Sequence, residues 1–347
     1  MIDILLQELN STDLDWMADI GERRSLHAGD RLTLSATDLY CILDGEMVAV
    51  APANSGDISD GAAATPFTSG DILGSAVLLD LPAVIQDVEA TQATSVLVLS
   101  QQTLRQHIRS HEAFAARFYR ALTLMLAQRL RQYAQSMELR QHHQRDLQEA
   151  LLVLGELRDS DIDWLTVTGR VRTIAPGDFL LRAGRPIDAL YLVLEGRFAV
   201  LWLEDDNPLK VCFNCPIETA SQMRQIATLA EGEMAGVSTF LDARPLPVSI
   251  RAEEEALVLC IPRETVTTRL LQDHGFAVRF YRVLAIQLSK MVQDVLMENG
   301  TPGHKAPDQS SPSVAVMEDD ELDIDDLQHA SQGAARFNWM RQRLGVG

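Results

Sequence analysis

The sequence predicts an α+β fold, mostly β. It comprises two β-roll (jelly-roll) domains, each followed by a long helix, then a disordered linker and a short terminal motif. Three observations carry this reading. Landmarks recur in the same order along two halves of the chain. Within each half, short apolar segments are broken by Gly and Asp, as strands and turns require. Each half then closes on a stretch with apolar residues at three-to-four spacing, the mark of an amphipathic helix.

The repeat is the strongest of the three. Asp13-Leu-Asp-Trp16 returns as Asp161-Ile-Asp-Trp164, and Ala28-Gly-Asp30 as Pro176-Gly-Asp178. Leu39-Tyr-Cys-Ile-Leu-Asp-Gly-Glu46 returns as Leu190-Tyr-Leu-Val-Leu-Glu-Gly-Arg197. Ser95 to Leu99 returns as Leu257 to Ile261, and Arg117-Phe-Tyr-Arg120 returns unchanged as Arg279-Phe-Tyr-Arg282. Such collinearity means duplication. The boundaries it suggests are 1–145 and 146–297 for the two domains, 298–326 for an acidic linker, and 327–347 for the terminal motif.

Each domain opens with a short helix, which Ser11 or Thr12 is expected to cap in the first and Ser160 in the second. Strands follow. Asp44-Gly45 and Glu195-Gly196 sit where a hairpin turn needs a positive φ. A polar loop, 51–66, interrupts the first domain, and a longer one, 203–229, holds Cys212 and Cys215 in the second. The closing helices are expected over 117–147 and 276–296. Beyond them, 298–316 has too little apolar surface to offset ordering entropy. An acidic run, 318–326, leads to 327–347, where Phe337, Met340 and Leu344 fall at helical spacing beside Trp339, Arg336, Arg341 and Arg343. That pattern predicts a docking peptide on a tether.

Gly70 to Ala90 and Gly232 to Ala252 share an order of glycine turn, helical turn, loop and strand. Both resemble the phosphate-binding cassette of cyclic-nucleotide-binding domains, found in catabolite-activator-type regulators, cyclic-nucleotide-gated channels and kinase regulatory subunits. The resemblance spans about 1–297 and implies a regulatory β-roll. It also implies where a nucleotide would sit. In the family a Glu of the cassette accepts from the ribose 2′-hydroxyl, and an Arg with nearby backbone N–H groups holds the cyclic phosphate. Helix N-termini and guanidinium forks favour such anions.

Neither anchor is present here. Ser75 follows Gly74 where Glu belongs, the Arg position falls on Val84, and the small-residue position lies near Gln86 and Asp87. In the second copy Val237 follows Gly236, and the Arg position falls on Leu246. Each lost charged hydrogen bond is worth roughly 1.5–3 kcal/mol, about tenfold or more in affinity. Arg244 lies two residues short of the expected site. No cofactor is therefore expected, and a cyclic nucleotide is disfavoured. Should a pocket take a ligand, Ser75, Gln86, Ser238 and Thr239 are its candidate contacts, and the long helices its transmitters.

Composition narrows the partners. With 30 Lys and Arg against 49 Asp and Glu, the formal charge is −19. Such a chain lacks the positive footprint of a nucleic-acid or anionic-membrane binder. No apolar run is long enough to span a bilayer, and the N-terminus lacks the basic region of a secretory signal. Four cysteines make no disulfide framework, so a cytoplasmic setting is expected. Cys212-x-x-Cys215 lacks a second ligand pair for zinc and the βαβ context of a thioredoxin motif, leaving incidental thiols or a redox pair. His107 and His111 share a helix face without further ligands. No metal site, catalytic constellation or winged helix is expected. The sequence thus predicts a non-enzymatic adaptor whose tail docks on a protein partner, with a cyclic-nucleotide or other small-molecule sensor as the alternative. In the family the long helices commonly pair subunits, so an intramolecular pseudo-dimer or a homodimer through them is expected.

Overall fold

A computed structural model of the chain describes residues 4–50, 66–83, 85, 87–136, 154–203, 223–242, 248–298 and 324–346. It divides into two compact units, Met1–Glu138 with Leu288–Leu322, and Leu139–Gln287 with Asp323–Gly347. The repeat alone places these C-terminal segments differently, assigning 288–297 to the second domain.

The first unit opens with α1 (Ile4–Glu8) and α2 (Ser11–Ile20). Asn10, rather than Ser11 or Thr12, caps α2: its side chain accepts from the Asp13 N–H at 2.9 Å, and the Asp13 carboxylate accepts from the Asn10 N–H at 3.1 Å. The strands are β1 (Glu22–Leu26), β2 (Arg31–Thr33), β3 (Asp38–Asp44), β4 (Glu46–Val50), β5 (Phe67–Thr68) and β6 (Ile72–Leu73). After the one-turn helix α3 (Ser75–Leu78) come β7 (Asp87–Ala90) and β8 (Thr94–Ser100). They form two antiparallel four-stranded sheets, β1-β8-β3-β6 and β2-β7-β4-β5. Tyr40, Ile42, Val96 and Val98 of one sheet meet Met47, Phe67 and Val88 of the other in a shared core. Helices α4 (Gln101–Ser110) and α5 (Glu112–Ser136) follow.

The second unit repeats this plan. It contains α6 (Asp159–Thr168), β9 (Arg170–Ile174), β10 (Phe179–Leu181), β11 (Ala189–Glu195), β12 (Phe198–Leu203), β13 (Met223–Leu229) and β14 (Met234–Ala235). Then come α7 (Val237–Asp242), β15 (Val248–Ala252), β16 (Ala256–Pro262), α8 (Arg263–Gln272), α9 (His274–Glu298), whose residues from Leu288 on belong to the first unit, and α10 (Ile324–Leu344). Its sheets run β9-β16-β11-β14 and β10-β15-β12-β13, so each strand pairing of the first roll recurs eight strands later. Ser160 lies inside α6, and the Asp161 carboxylate accepts from the Arg158 N–H at 3.0 Å at the helix start.

Fine details repeat as well. The ladder is bulged between Ile42 and Asp44 and again between Val193 and Glu195. Gly45 and Gly196 follow at φ +98° and +85°. A Cβ at Gly45 would lie 2.6 Å from the Thr94 Cα, so glycine is required by both space and dihedral.

The recurring Arg-Phe-Tyr-Arg has a structural reason. Arg117 forks onto Asp13 at 2.6 and 2.9 Å, and Arg120 pairs with Glu8 at 2.8 Å. Arg279 forks onto Asp161 at 2.7 and 3.1 Å, and Arg282 pairs with Glu156 at 3.2 Å. The intervening Phe118 and Phe280 are buried in the cores. Each motif thus ties its closing helix to the helical entrance of its own roll. Burial pushes both aspartates up. For Asp13, Arg117 and the Asn10 N–H outweigh burial and hold the carboxyl below its ordinary range. For Asp161, Arg279, the Arg158 N–H and Arg269 do the same.

Candidate functional site: the cassettes and a cavity beside the first

In the first roll, Gly74 turns the chain from β6 into α3 at φ +84°. A side chain there would press on the Asp38 carbonyl oxygen, 2.8 Å from the Cβ position. The Gln101 amide donates to that oxygen at 3.3 Å and to the Gly74 oxygen at 3.4 Å. Arg105 closes the far end, donating to the Val77 oxygen at 2.6 Å and to Asp80 Oδ1 at 2.8 Å. Asp80 has a φ of +60°. The turn is therefore held by Gln101 and Arg105 from α4.

Beside this turn lies a cavity of about 100 Å³. Ser75 lines it, with Phe67, Leu122, Met125, Leu126 and Tyr133 as its apolar wall and Val292 and Leu296 of α9 completing it. Arg129 of α5 reaches in as the one cation among the lining residues. Its guanidinium stacks 3.8 Å from the Phe67 ring centre, donates to the Pro66 carbonyl and to the Tyr133 hydroxyl (3.2 Å), and lies 3.8 Å from Asp71 Oδ2. Burial pushes the Tyr133 hydroxyl up, against the opposing pull of Arg129, so it stays a neutral phenol. Val84 and Gln86 lie outside the described residues.

The second cassette keeps the turn, and its described side chains around that turn are apolar and buried. Gly236 has φ +88°, and a Cβ there would meet Ile187 at 3.2 Å and Leu181 at 3.5 Å. Val237, directly after that glycine, is 5% exposed, and Phe240 and Leu241 are buried beside it. Glu233, two residues before the Ala235-Gly236 turn, accepts from the Ala230 N–H at 2.9 Å and so braces a loop. Gln287 of α9 bonds both backbone groups of Met234, at 3.0 and 2.7 Å. Ser238 and Thr239 fall in α7, while Arg244, Leu246, Cys212 and Cys215 lie outside the described residues.

Residues 171–273 match the family model described as the cyclic nucleotide-binding domain. The second roll is cyclic-nucleotide-binding-like, and the first roll repeats its strand order. Among solved structures, a regulatory subunit of a cAMP-independent protein kinase A from Trypanosoma brucei is similar over 79% of this chain and 89% of its own, at 18% identity and a TM-score of 0.28. The regulatory domain of Toxoplasma gondii PKA, crystallised with cAMP, is similar over 85% and 90%, at 15% identity and a TM-score of 0.27. The Thermus thermophilus catabolite activator protein covers 40% of this chain and 59% of its own, at 22% identity and a TM-score of 0.33. A comparison with curated proteins returned no match.

The tandem-roll protein uses its terminal helix in a way the sequence pattern did not disclose. Phe337, Met340 and Val346 are buried within the second unit. Arg336 donates to Asp159 at 2.8 Å and to the Gly155 oxygen at 2.8 Å, and Arg341 pairs with Glu231 at 3.1 Å. The apolar face expected to meet a partner is thus engaged within the chain, because its own roll offers acids and an apolar seat. Leu344 is half-buried, and Trp339, at 41% exposed, points away from that seat.

His107 is stacked on Trp16 at 3.6 Å and on His111 at 4.0 Å, an arrangement that packs α4 on α2. Among the described residues no three His, Cys, Asp or Glu side chains are grouped to hold a metal ion, and no helix is long and apolar enough to cross a membrane. Sequence reading missed Arg129. An arginine amid a helical apolar stripe reads as a solvated side chain, and only the fold brings Phe67 and Asp71 to it.

Proposed function

We propose that the tandem-roll protein is a non-catalytic regulatory adaptor that has given up cyclic-nucleotide binding. The buried Val237 carries this reading. Where the family needs a carboxylate facing a ribose, this chain has a buried aliphatic side chain. Such a roll holds its shape without a ligand and leaves its surface for partners. The outward face of α10 is the partner contact, with exposed Trp339 as its anchor and Arg343 one turn on. Trp and Arg are the residue types that dominate interface energetics. Phe337, Met340 and Arg341 hold that helix in place, and Leu344 borders its open face.

Two measurements test the proposal. Calorimetry with cyclic AMP and cyclic GMP should give no binding heat, and micromolar affinity would replace the adaptor with a sensor. Affinity purification from the native host should retain a protein with wild type that Trp339→Ala loses. Equal recovery by the variant would reject the α10 contact.

A further inference from the structure

We propose that the first roll binds a small, uncharged, largely apolar molecule of about the size of a single aromatic ring. This goes beyond the adaptor reading and does not depend on it. The argument begins with size. The cavity is about 100 Å³, whereas pockets for drug-sized ligands are roughly 300 Å³ and upward. A nucleotide is larger than this space, and a dry apolar cavity that takes benzene measures roughly 150 Å³, so a single ring enters as the unbranched Met125 side chain at the wall gives way.

Charge decides the rest. Arg129 could suggest an anion site, but it is already faced by Asp71 at 3.8 Å and occupied by the Pro66 carbonyl and the Phe67 ring. A ligand carboxylate or phosphate would meet Asp71 as well as Arg129, and would leave water for a wall of Met125, Leu126 and Phe67. Burying that charge without a free partner is unfavourable. A neutral ring has no such penalty and can extend the stack that Phe67 and Tyr133 make around Arg129, whose centre lies 5.1 Å from the Tyr133 ring. Ser75 and Ser289 at the wall can serve one hydroxyl or carbonyl. The site also joins the cassette turn to α5 and to residues 289–296, so an occupant touches each element that defines this unit's closing helices.

The test uses the full chain with methionine methyl groups labelled with carbon-13. Toluene is the neutral probe, benzoate the charged one, and cyclic AMP the nucleotide. Toluene should shift the Met125 methyl resonance saturably. Benzoate should bind at least about tenfold more weakly, the consequence of desolvating its carboxylate. Cyclic AMP should leave the resonance unmoved. Ala76→Leu, which adds three carbons at the cavity wall, should abolish the toluene response while leaving the other methionine signals dispersed. Should that variant lose its fold, Ser289→Leu takes its place. No Met125 shift with toluene, an equal or stronger response to benzoate, or an undiminished response in the folded filled variant would each overturn the proposal.

Discussion

Replacing Val237 with glutamate introduces the residue type that the sequence resemblance expects for ribose, at a position buried in the second roll. The side chain is 5% exposed, next to Gly236, where Ile187 and Leu181 already crowd the space. Losing a buried valine costs about 1.5–3 kcal/mol. The new carboxyl has no cation described beside it and would fold as the neutral acid. From an ordinary value near 4.3, protonating it at pH 7 costs about 3.7 kcal/mol, against about 1 kcal/mol at pH 5. The sign follows from linkage. A carboxyl whose folded value is raised favours folding below its unfolded value, and that contribution disappears as pH rises. Val237→Glu should therefore be about 2.6 kcal/mol more destabilising at pH 7 than at pH 5. Urea unfolding followed by circular dichroism at both pH values measures this, with Val237→Gln as the uncharged control. An unchanged midpoint at pH 7, or restored micromolar binding of cyclic AMP, would show that the interior is open to water and refute the reasoning.

Three further outcomes are expected. Asp161→Ala leaves Arg279 and Arg269 facing an emptied site, with side chains only 16% and 17% exposed, so it should cost about 3–5 kcal/mol in urea unfolding. Asp13→Ala should cost less, because Arg117 is 33% exposed. Both carboxyls are held low, so their stabilisation is present above about pH 3.9 and is lost as pH falls through the lower folded values. Acid titrations of the two variants should lack this loss. Gly45→Ala and Gly196→Ala, each at positive φ against neighbouring backbone, should lower thermal stability by about 1–3 kcal/mol. Phe337→Ala removes a side chain that is 3% exposed and should cost α10 about 3–5 kcal/mol of docking, seen as faster tryptic cleavage at Arg341 and Arg343.

The architecture was legible because duplication wrote it twice. Asp13 and Arg117 are 104 positions apart, and neither predicts the other alone. Their joint return as Asp161 and Arg279 marks both as parts of one device. Turn glycines were equally legible, since Gly45, Gly74, Gly196 and Gly236 answer to local dihedrals. Cap residues were less so: asparagine and aspartate took the helix start from the neighbouring hydroxyls. The cavity was not legible, since Arg129, Asp71 and Phe67 converge only through the sheet and closing helix of the first roll. Nor was the seat of the terminal helix. Phe337 and Met340 show an apolar stripe in either case, and the sequence does not say which surface it covers.

The strand-for-strand offset makes this molecule its own reference sample. Ser75 and Val237 hold the same station after the same turn, one lining a cavity and the other buried. A residue swapped between those stations can be judged against its sibling in a single tube, at one concentration, temperature and buffer. Duplication supplies the matched comparison within one chain.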